Sequence, residues 1–66
     1  MSRMKPNEIE VYTEVLAAIA AKAKSRRMFE LEKEAFKLSM DIYGKDYELD
    51  YVKNKVSEYR RIINEQ

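Results

Sequence analysis

One glycine and one proline, Gly44 and Pro6, stand among 66 residues. Every other residue type can continue a helix, so a chain with so few breaks is predicted to fold into a few long helices. The β-branched residues recur at helical steps and never alternate at period two, which leaves no segment that reads as a strand. With 45% hydrophobic and 38% charged residues, the composition is that of a foldable globular domain rather than a disordered tail. The predicted fold class is all-α.

Three apolar stripes divide the chain. Ile9, Tyr12, Leu16, Ile19 and Ala23 recur at steps of three and four, with Val11, Val15 and Ala18 as a second stripe beside them. They predict a first helix over about 7–24, with Asn7 as N-cap and Glu10 completing a capping box. Met28, Leu31, Ala35, Leu38 and Ile42, flanked by Phe29, Phe36, Met40 and Tyr43, predict a second over about 27–43. Gly44 is expected to end it in the left-handed conformation that glycine adopts without steric cost. Leu49, Val52, Val56, Tyr59 and Ile63 predict a third over about 46–65, widened by Tyr51 and Ile62 and capped by Asp46. Between helices one and two, Lys22-Ala-Lys-Ser25-Arg-Arg27 holds neither glycine nor proline. The two stripes are nevertheless out of phase by roughly 60° at 3.6 residues per turn. A turn near Ser25 absorbs this, and the alternative is one long bent helix. The expected architecture is a single helical domain over 1–66, a three-helix bundle with residues 1–5 as a flexible tail.

A chain this short buries only roughly 60% of the surface it exposes when unfolded. Chains of this size add disulfides, metals or a second subunit, and this one has no cysteine and no histidine. A homodimer is therefore an expected state. The longest apolar run, Val15 to Ala21, is far shorter than the roughly 20 residues of a membrane span. No signal peptide is recognisable at the start. The expectation is a cytoplasmic protein with no membrane contact.

The missing residue types exclude more chemistry than the present ones suggest. Without histidine or cysteine there is no imidazole base, no thiol nucleophile and no zinc-finger ligand set. No glycine-rich loop is available to cradle a phosphate. The carboxylates Glu30 and Glu34 read as partners of Lys33 and Lys37, and Asp46, Glu48 and Asp50 as compensation for a helix dipole. No catalytic residues, metal ligands or cofactor are expected, and the chain does not read as an enzyme.

Two constellations remain as candidate sites. Lys22, Lys24, Arg26 and Arg27 place four cations within six residues, against a net charge of only +1. Lys22 and Lys24 suit a helix C-terminus, whereas Arg26 and Arg27 beside the start of the next helix do not. The two arginines are thus assigned to steering a partner, and alanine at both is expected to leave stability nearly unchanged. The second constellation is apolar. Residues Leu16 to Ala21 surround helix one with more apolar circumference than the stripe of about 100° a bundle requires. Val11, Val15 and Ala18, together with Tyr47 and Tyr51 at i,i+4, are the candidate contact residues. The functional expectation is a small interaction module, a regulator or adaptor that docks on itself or on another protein. The alternative is a dimeric nucleic-acid-binding regulator using Lys22 to Arg27. Against it, the second helix carries Glu30, Glu32 and Glu34 where phosphate contacts would have to lie.

Overall fold

A computed structural model describes residues 3–65 and consists of three α-helices without a strand among those residues. Helix α1 spans Pro6–Ser25, α2 Phe29–Gly44 and α3 Leu49–Glu65. The chain is an all-α three-helix bundle, and the single long bent helix is excluded by the break at Arg26–Met28.

The start of α1 differs from the sequence expectation by two residues. Proline lacks an N–H and fixes φ near the helical value, so Pro6 occupies the first helical position and Lys5 becomes the extended N-cap. The Lys5 backbone N–H donates to the Glu8 carboxylate at 2.8 Å. Glu8 therefore does the work expected of Glu10, and Asn7 lies inside the helix.

The α1–α2 turn forms without glycine. Met28 N–H donates to the Ala23 carbonyl at 2.8 Å, and Arg27 N–H donates to the Lys24 carbonyl at 3.0 Å. These are the two bonds of a Schellman motif, which requires a left-handed residue between them. Arg27 supplies it, with φ of 60°, the only positive φ among the described non-glycine residues. Gly44 has no positive φ; it is the last residue of α2, and extended Lys45 follows it, donating its N–H to the Asp41 carbonyl at 2.9 Å. The expected glycine cap is thus corrected: the left-handed conformation falls on an arginine at the other turn.

Asp46 does not cap α3. Its carboxylate meets the Arg3 guanidinium at 3.2 Å, and Arg3 forms an isolated antiparallel bridge with Glu48. Holding this connection extended delays the first turn of α3 to Leu49, where the Glu48 carbonyl accepts the Val52 N–H at 3.3 Å. Of the expected tail, Met1 and Ser2 lie outside the described residues, while Arg3 makes these contacts and Met4 packs against the core.

The core takes one stripe from each helix. Leu16, Ile19, Ala20 and Ala23 of α1 meet Leu31, Ala35, Leu38 and Ile42 of α2 and Val52, Val56, Tyr59 and Ile63 of α3. The small side chains Ala20, Ala23 and Ala35 let α1 and α2 approach closely, and that pair is the tightest in the fold. Ser39 Oγ bridges them, donating to the Thr13 carbonyl at 3.2 Å. Helix α3 stands further off behind larger side chains. Of the expected stripes, Leu31, Ala35, Leu38 and Ile42 of α2 and Val52, Val56, Tyr59 and Ile63 of α3 are buried, while Met28 and Leu49, before and at the first turns, are only half-buried; Ile9 and Tyr12 of α1 pack half-buried at the edge.

Candidate interaction surfaces

Because α3 packs at a distance from α1, a groove runs between them. It holds two adjoining cavities of about 250 and 350 Å³ that share Val15 and Arg60 in their walls. Val11, Val15 and Ala18 of α1 form one apolar wall. Lys22 sits on the same wall, while Lys53 and Arg60 rise from α3. Among the described residues no carboxylate lines either cavity. The spacing explains the convergence: positions 11, 15, 18 and 22 advance by four, three and four, which keeps them on one helix face. The three apolar residues of helix one expected to make contact are therefore gathered here, beside one of the four clustered cations.

The other three cations go elsewhere. Lys24 is rotated about 200° from Lys22 around the helix, at 100° per residue. Arg26 is engaged inside the molecule, its Nη1 donating to the Ile63 carbonyl at 2.7 Å. A guanidinium there satisfies an orphan carbonyl of the last α3 turn and complements the helix dipole. Arg27 forms the left-handed turn residue. The sequence cluster is thus not one surface patch. Lys53 and Arg60, by contrast, join Lys22 only because α3 folds back alongside α1.

Tyr47 and Tyr51 stack on each other, ring centroids 5.4 Å apart and planes within 9°. Lys55 Nζ lies 5.9 Å from the Tyr51 centroid, within cation–π range. With Tyr59 they line a cleft between α2 and α3 whose polar rim is Glu34, Lys37, Asp41, Lys45 and Lys55. The pair contributes to the entry of α3, with Tyr47 packed on the core and Tyr51 at the surface. Tyr59 is buried, and burial, followed by the charges of Glu34 and Glu58 and by Tyr51, pushes its hydroxyl above the ordinary tyrosine pKa.

Most of the large exposed apolar side chains lie on α2, with Val11 on α1 and Tyr51 on α3 besides. Phe29, Phe36, Met40 and Tyr43 are 60%, 54%, 62% and 66% exposed. Glu34, Leu38 and Asp41 turn towards α3, and Ser39 turns towards α1. Phe36, Met40 and Tyr43 lie beyond Ser39 around the helix, on the side of the α1–α2 pair away from α3; Phe29, at the start of α2, also borders a cavity shared with Ile62 of α3. Ala17 and Ala21 continue the same side on α1, one step beyond Thr13, and both are exposed. The surplus apolar circumference expected of α1 is real, but the bulkier surplus belongs to its neighbour. Phe29, Phe36 and Tyr43 recur at seven residues, the repeat of a second helical seam. That repeat was the available signal.

Among protein-family models, curated proteins and solved structures, none matches this chain, so its surfaces are read from their own chemistry.

Proposed function

We propose that the chain is a helical protein–protein interaction module, a cytoplasmic regulator or adaptor, whose α1–α3 groove receives an acidic amphipathic helix of another protein. The observation that carries this reading is the groove lining. Val11, Val15 and Ala18 offer an apolar floor between Lys22, Lys53 and Arg60, with no carboxylate among the described lining residues to repel an acidic guest. A helix laid along such a floor presents side chains at i, i+3, i+4 and i+7. Burying one valine or leucine side chain fully contributes about 1.5–3 kcal/mol, whereas each exposed ion pair adds roughly 0.2–1 kcal/mol. Apolar contact supplies affinity in this arrangement, and the cations select the sign of the guest and speed its arrival. No helix among the described residues is long and apolar enough to cross a membrane.

The test is fluorescence anisotropy with two labelled amphipathic helical peptides that share one leucine face. One carries glutamate on its polar face and the other lysine. The acidic peptide should bind more tightly than the basic one, by roughly tenfold or more when the pairs to all three cations are reversed. Val11→Asp and Arg60→Glu, both at exposed positions, should each weaken the acidic complex while leaving helix content intact. No binding of the acidic peptide at about 100 μM, a level that detects even weak docking, refutes the reading. Tight binding to random duplex with a steep salt dependence, and none to peptide, would replace it with a nucleic-acid function.

A further inference from the structure

We infer that the opposite surface, the open α1–α2 face, is closed by a second copy of this chain in an antiparallel two-fold dimer. The inference is independent of the groove, which lies on the other flank of α1. It rests on self-complementarity about one level in the fold.

On α1, Glu10 and Lys24 stand seven residues before and after Ala17. On α2, Phe29 and Tyr43 stand seven residues before and after Phe36. Seven residues are two turns, about 10.5 Å, and return a side chain to nearly the same face. Ala17 and Phe36 stand at nearly the same level. Ser39 Oγ on the Thr13 carbonyl ties those two residues together. Because the helices run antiparallel, Ala17, four residues on from Thr13, and Phe36, three residues back from Ser39, stand within one residue, about 1.5 Å, of the same level.

A single two-fold axis crossing both helices at that level therefore does several things at once. It brings Ala17 against the partner's Ala17, a contact small enough for close helix approach. Phe36 then meets the partner's Phe36, and Phe29 meets the partner's Tyr43. Glu10 lies over the partner's Lys24, and Lys24 over the partner's Glu10. Both residues are exposed, and neither is in an ion pair among the described residues. An isologous interface demands this reciprocity.

The area is sufficient. An aromatic side chain offers roughly 150–250 Å² when fully exposed. At the observed exposures, Phe29, Phe36, Met40 and Tyr43 present roughly 500 Å² per copy by that measure. Two copies can bury up to about 1,000 Å² from these side chains, the lower limit of a specific interface, and the alanines add to it.

Sedimentation equilibrium at about 10–100 μM, where an interface of modest size is populated, should find the wild-type chain dimeric. Phe36→Asp, at an exposed position, should weaken association by roughly 100-fold or more, as expected of a central anchor, with unchanged helicity and unchanged acidic-peptide binding. Glu10→Lys and Lys24→Glu alone should each weaken the dimer by about tenfold, and the double reversal should restore it. Under mild oxidation a mixture of Phe29→Cys and Tyr43→Cys chains should form the mixed disulfide in preference to either self-pair. A monomer at 100 μM overturns the inference, as does a double reversal no tighter than the single variants. Preferential Phe29→Cys self-pairing overturns it too. Loss of peptide binding without loss of the dimer would refute the groove alone.

Discussion

Arg27 holds a conformation that its side chain disfavours, and replacing it tests the reading of the α1–α2 turn. Its φ of 60° places Cβ against the following carbonyl, at a cost of roughly 1–2 kcal/mol for an L-residue. Glycine removes that clash but gives back about 0.5–1 kcal/mol through the extra freedom of the unfolded chain. The balance predicts that Arg27→Gly stabilises the fold by about 0.5–1 kcal/mol. In a domain of this size 1 kcal/mol moves Tm by about 4–8 °C, so the expected rise is roughly 2–8 °C. Arg27→Ala is the control, since it removes the same charge and keeps Cβ; it should leave Tm nearly unchanged. Thermal unfolding followed by circular dichroism at 222 nm, at one fixed protein concentration, reads both. If the glycine variant is no more stable than the alanine variant, the left-handed turn and the Schellman bonds drawn from it are wrong. Gly44 supplies the converse. It has no positive φ, and an added Cβ there meets nothing within 4 Å. Gly44→Ala should therefore stabilise by about 0.5 kcal/mol, a helix-propensity gain reduced by its terminal position. The two gains should add, because the sites lie at opposite ends of α2.

Three further outcomes follow from single side chains. Arg26→Ala removes the guanidinium from the Ile63 carbonyl and should cost about 1–2 kcal/mol by urea midpoint, with faster amide exchange in the last turn of α3. This corrects the near-zero effect that the sequence alone predicts for alanine at Arg26, because the guanidinium is bonded within the fold. Thr13 Oγ1 is buried without a hydrogen-bond partner, so Thr13→Val should stabilise by about 1 kcal/mol in the same assay, the cost of a stranded hydroxyl being removed. The raised pKa of Tyr59 means the folded state holds its proton more tightly than the unfolded state does. Its contribution is fully present below the unfolded value near 10 and is lost as pH rises through the higher folded value. Urea midpoints of the wild type should therefore fall above about pH 10, and Tyr59→Phe should flatten that fall; an unchanged slope would show that other groups govern it.

Most of the helical architecture can be read along the chain, because a stripe of period 3.6 is a local property. Leu31, Ala35, Leu38 and Ile42 are buried wherever α2 packs, and so are Val52, Val56, Tyr59 and Ile63. The scarcity of glycine and proline likewise determines that the elements are long helices. The caps were less legible. Proline geometry moved the start of α1 to Lys5 and Glu8, and the Arg3 contacts withdrew Asp46 from α3. Each depends on what else competes for a carboxylate or a backbone angle.

The surfaces divide in the same way. Val11, Val15, Ala18 and Lys22 share a helix face by spacing alone, but Lys53 and Arg60 reach them from far along the sequence. Only the packing of α3 against α1 makes one groove of the six. Phe29, Phe36, Met40 and Tyr43 resemble core residues in the sequence, and tertiary structure leaves them outside. A helix in a three-helix bundle has neighbours on two sides, and α2 carries apolar residues facing a third. Periodicity reports which residues share a face; only the placement of the neighbouring helices decides which faces are covered.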